Sequence, residues 1–512
     1  MTELDPQLNA LPPTMNKNPA GAKVHLVGIG GVAMAALAGL LAEAGCRVTG
    51  SDGEVYPPVS DLLRAMNISP AKGYGPETLP PDCDLAIIGN VVTRQFPVLE
   101  RLRELKKPYL SLPQTLKKLF LNKTRNLVVA GCHGKTTTTA LAAHIWNTAG
   151  LAPGFLIGGS SLDFPHPWQR AETGRDQSEP PWFIIEGDEY DSAFFNKAPK
   201  FLHYRPHTVI LTSIEFDHAD IYPDLQAVVA AFTELAKIIP AEGRLIAHGD
   251  DPLVRQVAAK AKCGVEFYGL GVDNDWRVTG FEAEDGPGGN EAPTRLGHSN
   301  AAAAEQSPSG AWRSAFELSG PEGFYARLSW ARPGVYNALN AAAAIAAFVG
   351  DGGDGRWPAE ALRSFKGPKR RQEVLGIFNG VELVDDFAHH PTAVAETLRA
   401  TRAARPGRRI LAAFEPRSNT SRRAVFQKDY AAALAGADLV FLRRTPDPQK
   451  APEGDRLDID RLAADLAPRA QVFDDGLTLG RALAAEAREG DLAVVMSNGG
   501  FDGLTDFLRN NL

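Results

Sequence analysis

The chain has 512 residues and a formal net charge of −7, too long for one hydrophobic core and free of lysine or arginine runs. Three domains of ordinary size are expected, and neither nucleic acid nor an anionic membrane is a predicted partner. Its four cysteines, Cys46, Cys83, Cys132 and Cys263, form no CxxC pair and read as reduced thiols of a cytoplasmic protein. The first twenty residues lack a basic start with an apolar core, and no apolar run reaches eighteen residues, so neither a signal peptide nor a membrane span is expected.

In chain order, an apolar run at 24–27 leads into Gly28-Ile29-Gly30-Gly31, a helical pattern over 34–41 and a strand at 48–52 ending on Asp52. This reads as a Rossmann-like strand–helix–strand unit, whose glycines let backbone N–H groups approach a pyrophosphate. Ala33 and Met34 stand where GxGxxG wants its third glycine. The loop therefore suits any pyrophosphate, a UDP-sugar included, and a tight structural turn is the competing reading. Strands at 85–88 and 109–112 and a polar join at 122–125 complete this part.

A second glycine loop follows the apolar run 127–130: Gly131-Cys132-His133-Gly134-Lys135-Thr136-Thr137-Thr138, opening a helix. This strand, loop and helix predict ATP binding. Main-chain N–H groups would cradle the phosphates, Lys135 would reach the β/γ-phosphates, and a hydroxyl of Thr136 or Thr137 the Mg²⁺. Strands are expected at 182–185, 209–212 and 244–247, the first two followed by Glu186-Gly187-Asp188-Glu189-Tyr190-Asp191 and Glu215-Phe216-Asp217-His218. Carboxylate oxygens suit Mg²⁺, and Glu186 and His218 are the expected ligands.

The stretch 282–310, rich in Gly, Pro, Asn, Ser and Ala, reads as a surface loop. Asn337 and Asn340 fall three apart by an alanine-rich helix over 341–347 and could face an adenine edge or cap the helix. The turn 366–369 reads as a hinge, and strands at 381–384, 410–414, 439–442 and 492–496 suggest a third doubly wound domain. Arg370 and Arg371 could neutralise a transferring phosphoryl group. Asp385-Asp386-Phe387-Ala388-His389-His390-Pro391 could serve nucleotide binding or hold a transition metal.

The order GIGG, GCHGKTT, EGDEYD, EFDHAD, YNALNA, KRR and DDFAHHP resembles the Mur ligase family across essentially the whole chain. The resemblance implies a three-domain, ATP-dependent, amide-bond-forming enzyme of peptidoglycan metabolism with an α/β fold. It places a Rossmann-like UDP-sugar domain at 1–124, a central P-loop ATP domain with a mostly parallel sheet at 125–365 and a Rossmann-like C-terminal domain at 366–512. ATP would phosphorylate the carboxylate of UDP-N-acetylmuramate, and an amine would attack the acyl phosphate. Carried over by position, Lys135, Glu186, His218 and Arg371 are catalytic, and Thr136, Glu186 and His218 hold Mg²⁺. ATP would meet Gly131, His133, Gly134, Lys135, Thr136, Thr137, Asn337, Asn340, Arg371 and Asp386. The UDP-sugar would meet Gly28, Ile29, Gly30, Gly31, Asp52 and Asn90, and a peptide His389, Glu415, Arg417 and Asn419.

Three stretches, Ile88-Gly89-Asn90, Glu189-Tyr190-Asp191-Ser192-Ala193-Phe194-Phe195 and Glu415-Pro416-Arg417-Ser418-Asn419-Thr420, look most like the branch that attaches an L-Ala-γ-D-Glu-meso-diaminopimelate tripeptide during murein recycling. The branch that adds L-alanine to the same nucleotide sugar is the alternative. A monomer or weak homo-oligomer is expected. Cys132, Gly187, Tyr336 and Phe387 depart from the family pattern, and Thr233 stands in the region where several members carry a carbamylated lysine. An NAD(P) oxidoreductase lacks a nameable nicotinamide partner site, and a non-catalytic sensor of wall fragments would not need the intact set of Lys135, Glu186, His218, Arg371 and Asp386.

Overall fold

Apolar runs alternating with helices build three mostly parallel sheets in a three-domain α/β fold. The computed structural model describes residues 4–172, 179–219, 221–284 and 312–512. The expected surface loop at 282–310 lies outside them from residue 285 onward.

β1 (Lys23–Val27), β2 (Arg47–Asp52), β3 (Ala71–Lys72), β4 (Leu85–Ile88) and β5 (Tyr109–Ser111) form a parallel sheet in the order β3-β2-β1-β4-β5. The chain reverses direction across the sheet at β1, and a crevice for ligands opens beyond the carboxyl ends of β1 and β4. Gly28 follows β1 there, and Asn90 lies just after β4. The strand expected at 109–112 stops at Ser111, because Ser111 and Gln114 form a capping box for the helix Leu112–Leu119.

The central sheet comprises β6 (Arg125–Ala130), β7 (Gly154–Leu156), β8 (Trp168–Gln169), β9 (Trp182–Gly187), β10 (Thr208–Leu211), β11 (Arg244–His248), β12 (Gly264–Gly269), β13 (Trp276–Glu284), β14 (Arg313–Ser319) and β15 (Tyr325–Trp330). Their order is β15-β14-β13-β12-β11-β10-β6-β9-β7-β8. β6 again sits at a switch point, flanked by β10 and β9. The antiparallel extension β13-β14-β15 was not legible in the sequence, since β15 exposes alternate residues and offers no apolar run.

β16 (Glu373–Phe378), β17 (Val381–Asp386), β18 (Ile410–Phe414), β19 (Leu439–Arg443), β20 (Ala470–Phe473) and β21 (Leu492–Met496) make the third sheet, ordered β16-β17-β21-β18-β19-β20 and parallel except for β16.

One apolar core runs through the first two sheets, joining Leu26, Leu37 and Leu116 to Val128, Phe183 and Phe232. Trp168 is seated on Gly39, where any Cβ would collide with the indole, and donates its Nε1–H to Glu43 at 2.9 Å. The third sheet has two apolar clusters of its own, which, among the described residues, the central domain enters through Trp312. The turn 366–369 between them is pinned to the central domain. Asp163 accepts from the backbone of Lys366 and Gly367 at 2.8 and 2.7 Å, and Lys369 donates to Ser160 O at 2.8 Å.

Candidate active site at the three-domain junction

The second glycine loop joins β6 to the helix Lys135–Thr148, which packs through alanines against the helix Val335–Gly350. Gly134 caps the first helix with φ +79°, and a Cβ there would lie 2.5 Å from Asn340 Oδ1, so glycine is required for both reasons. Residues just after β10 hold the loop: the Thr212 hydroxyl donates to His133 O at 2.5 Å, and Ser213 Oγ accepts from His133 N at 3.0 Å. Cys132 Sγ lies 3.2 Å from both N and O of Glu215, so the thiol, like its backbone, serves to position the loop.

Lys135 Nζ donates to Gly131 O at 2.7 Å and to Glu189 Oε2 at 2.9 Å. Glu189 is 2 % exposed, and its other oxygen lies 2.8 Å from His218 Nε2. Burial opposes the charge on Lys135, but Glu189, Asp188 and Glu186 raise its pKa. Burial likewise pushes Glu189 up, yet Lys135 and His218 bring it below the usual carboxylate range. On His218 the hydrogen bond and charge of Glu189 outweigh burial and raise its pKa. Sequence reasoning placed Glu189 in an acidic cluster without seeing this role, because its partners lie 54 and 29 residues away.

Thr136, rather than Thr137, presents its hydroxyl to Glu186, donating to Oε1 at 3.0 Å, while Gly158 N donates to Oε2 at 2.9 Å. Burial and the neighbouring Asp188 raise the pKa of Glu186. An oxygen pair about 3 Å apart matches adjacent ligands of an octahedral Mg²⁺ with bonds of about 2.0–2.1 Å, so the donor set fits that ion. The expected three-residue metal set divides, however: His218 is hydrogen-bonded to Glu189, not to Thr136 or Glu186. Motif order could not reveal which carboxylate the imidazole faces.

From the third domain, Arg371 Nη2 donates to Thr136 Oγ1 at 3.4 Å, and its guanidinium lies 4.8 Å from the centre of the Phe387 ring. Phe387 thus supports Arg371 without a hydroxyl. Asn337 and Asn340 do share one helical face beside the loop, and Gly334 caps the helix in their stead. Asn337 Nδ2 donates to Pro333 O at 2.7 Å and to Gln372 Oε1 at 3.3 Å. Asp386 is buried, with its two oxygens accepting from Gln372 N at 2.7 Å and Ala388 N at 2.6 Å.

The first glycine loop and Glu186 face one cavity of about 500 Å³, lined by Gly28, Gly30, Gly31 and Asn90 on one side and by Gly158, Glu186 and Lys200 on the other. Asp52 organises the loop, accepting from Gly30 N at 2.6 Å, Gly53 N at 2.7 Å and the Tyr74 hydroxyl at 2.5 Å. Ile29 departs from its expected role. Its side chain is fully buried against Gly50, its N–H is taken by Ser51 O at 3.2 Å, and it is absent from the described lining of the cavity.

Arg417 and Asn419 are exposed beyond β18. Glu415, expected beside them, is wholly buried, accepting from the Ser497 hydroxyl at 2.6 Å with Arg443 at 3.5 Å and Arg417 at 4.0 Å. It therefore anchors the two arginines and does not reach a peptide; strand-end position alone could not separate an inward from an outward carboxylate. His389 is half-buried, with Nδ1 3.0 Å from Phe387 O.

Glu215 bridges two domains, accepting from the Thr392 hydroxyl at 2.7 Å and lying 3.3 Å from His133 and 3.5 Å from His390. Among the described residues this is a group with converging metal-type ligand atoms. His390 Nδ1 already accepts from Thr392 N at 3.3 Å, and its buried Nε2 has no acceptor, whereas a metal-bound imidazole is normally oriented by one. The cluster is a hydrogen-bonded latch, which corrects the transition-metal reading of the DDFAHHP turn.

A glycine loop and Glu186 facing one cavity, with a phosphate loop bonded to Glu186 through Thr136 and an arginine of a third domain donating to that same threonine, define a nucleotide-dependent transferase or ligase site. The profile of the Mur ligase family catalytic domain matches residues 23–124, the Mur ligase middle domain 129–348, and the Mur ligase glutamate ligase domain 370–499. The chain belongs to the Mur ligase family and is an ATP-dependent ligase forming amide bonds. It is 38 % identical over 491 residues to the UDP-N-acetylmuramate--L-alanyl-gamma-D-glutamyl-meso-2,6-diaminoheptandioate ligase of Escherichia coli K12, covering 96 % of this chain and 98 % of that one. The murein peptide ligase of Psychrobacter arcticus 273-4 superposes with a TM-score of 0.70 at 32 % identity, over 96 % of this chain and 98 % of that one. The UDP-N-acetylmuramate--L-alanine ligase of Acidothermus cellulolyticus is 32 % identical over 483 residues, 93 % of this chain and 92 % of that one. Among the described residues, no helix is long and apolar enough to cross a membrane.

Proposed function

We propose that this chain joins UDP-N-acetylmuramate to the tripeptide L-Ala-γ-D-Glu-meso-diaminopimelate, with ATP and Mg²⁺, as a recycling ligase. The observation that carries the reading is the single cavity shared by the first glycine loop and Glu186 beside the phosphate loop, which lets a nucleotide sugar present its carboxylate to a γ-phosphate. The 38 % identity to the E. coli tripeptide ligase favours the peptide acceptor over L-alanine.

Positioning and charge neutralisation do most of the chemistry. Lys135 exchanges Gly131 O for a phosphate oxygen while Glu189 keeps it charged and aimed. Mg²⁺ held by Thr136 and Glu186 would supply further neutralisation of the γ-phosphoryl. Arg371, stacked on Phe387, adds a guanidinium from the third domain, so the domains must close for the site to be complete. A carboxylate oxygen forms the bond to γ-phosphorus as ADP leaves with the electron pair. The peptide amine then forms the C–N bond as phosphate departs, with one proton released overall. Arg417 and Asn419, exposed beyond β18, would receive the charged end of the peptide, an arginine fork matching a carboxylate.

Phosphate release dependent on ATP, Mg²⁺ and UDP-N-acetylmuramate tests the reading with tripeptide and L-alanine as alternative acceptors. Release with tripeptide alone is the expected result. Release with L-alanine alone transfers the chain to the biosynthetic branch, to which the 32 % identity with the A. cellulolyticus enzyme also points, and release with neither favours a non-catalytic sensor.

A further inference from the structure

The cavity between the first glycine loop and Glu186 is lined, among the described residues, by four carboxylates, Asp52, Glu54, Glu186 and Asp188, and by a single cation, Lys200. The substrate proposed above brings a diphosphate and a free carboxylate, which so acidic a wall repels unless its charges are answered. Asp52 is satisfied by two backbone N–H groups and a tyrosine, and Glu186 is turned toward Thr136 and Gly158. Among the described lining residues, the side-chain cation left to meet a carboxylate is Lys200.

Lys200 opens the short helix Lys200–His203 and is 6 % exposed, a depth at which an unpaired lysine is rare. Its ammonium donates to Asp188 Oδ2 at 2.9 Å and lies 4.1 Å from the centre of the Tyr190 ring. An ammonium has three donor directions, and Asp188 takes one of them. Asp188 has a second donor in the Tyr190 side chain and a second positive neighbour in Lys135, so structural neutralisation does not exhaust the purpose of Lys200.

We propose that Lys200 receives the free carboxylate of the nucleotide sugar and holds it toward the phosphate loop, a role that rests on the reading of this cavity as the UDP-N-acetylmuramate site. Glu186 lines the same cavity and touches Thr136 at the start of the phosphate-loop helix, so a carboxylate on Lys200 lies on the side from which it must attack. The oxygen not engaged by Lys200 forms the bond to γ-phosphorus while the bond to the β,γ-bridging oxygen breaks, its electron pair leaving with ADP. Lys200 acts as a substrate-positioning residue.

Calorimetric titration of the full-length protein with UDP-N-acetylmuramate and with UDP-N-acetylglucosamine, which lacks the carboxylate, tests this in the wild type and in Lys200→Met, Lys200→Gln and Lys200→Arg. The wild type should prefer the acid by about 10–100-fold, the range of one hydrogen bond to a charged group. Lys200→Met and Lys200→Gln should lose that preference while binding UDP-N-acetylglucosamine within about twofold of wild type, and Lys200→Arg should restore much of it. Glutamine can still donate to Asp188, so its failure cannot be ascribed to an orphaned aspartate. A preference that survives in both Lys200→Met and Lys200→Gln, in a protein that still turns over UDP-N-acetylmuramate, removes Lys200 and leaves the function reading intact. A wild type that binds both sugars alike also overturns the role of Lys200, and one that binds neither overturns the function reading with it.

Discussion

The central domain meets its two neighbours by opposite means. Toward the N-terminal domain the joint is a continuous apolar core, sealed by Trp168 on Gly39 and by Phe195 edge-on to Tyr109 at 4.9 Å. Toward the C-terminal domain it is chiefly polar: Arg371 to Thr136, Thr392 to Glu215, and Arg423 to Ala219 O at 2.8 Å, with Trp312 as an apolar tether. Apolar burial is lost whole when two surfaces part, whereas polar groups exchange their partners for water at small net cost. The sugar loop is therefore held against Glu186 by apolar burial, while the domain carrying Arg371 meets the central domain through contacts that water can replace.

The sharpest way to break this contrast is Trp168→Ala. Emptying that site should cost about 3–5 kcal/mol, read as a lower denaturation midpoint, together with weaker UDP-sugar binding. An unchanged stability would mean the first two domains are not mechanically one. Lys135→Ala should instead lower kcat by about 10²–10³-fold, or ~3–4 kcal/mol, as for loss of a group that stabilises transition-state charge, and leave the UDP-sugar Kd within about twofold. Parallel loss of sugar binding would place both phosphate groups in one site.

Acid should affect the polar joint. Burial and the neighbouring His133 depress His390 to about 4, with Asp217, Glu215 and His389 also facing it. Burial raises Glu215, but hydrogen bonds from His133 and Thr392 bring it down to about 2, so it stays ionised while His390 titrates. Because the His390 value lies below that of a free imidazole, the closed form binds fewer protons. The His390 contribution is complete above about pH 6.5 and is lost as pH falls toward 4, by roughly 2–3 kcal/mol. Domain closure followed by small-angle scattering should weaken over that window, and His390→Gln should flatten the dependence. The mildest change is Thr392→Val, which removes one latch hydrogen bond and should cost about 0.5–1.5 kcal/mol of closure, seen as a raised KM for ATP with unaltered thermal stability.

Legibility followed sequence distance. β4, β18 and β21 were found at their true bounds because fully buried parallel strands are uninterrupted apolar runs. β15 and the short β7 and β8 escaped, since their burial comes from neighbours far along the chain. At the site, Lys135, Thr136 and Gly134 announce themselves through local spacing. Glu189, Thr212 and Lys200 do not, because a carboxylate, a hydroxyl and an ammonium carry no signal until their partners are folded against them.

The chain by itself determined the two glycine loops, the alternation that makes three α/β domains and the order of motifs marking a Mur ligase, since each depends on backbone conformation or apolar period within a few turns. Tertiary structure alone decided that Ile29 and Glu415 turn inward, that His218 pairs with Glu189, that the DDFAHHP turn latches onto Glu215, and that Lys200 is the cation of an acidic cavity. Those outcomes depend on which groups meet across domains and which lose water when they do, and neither is written in the spacing of residues.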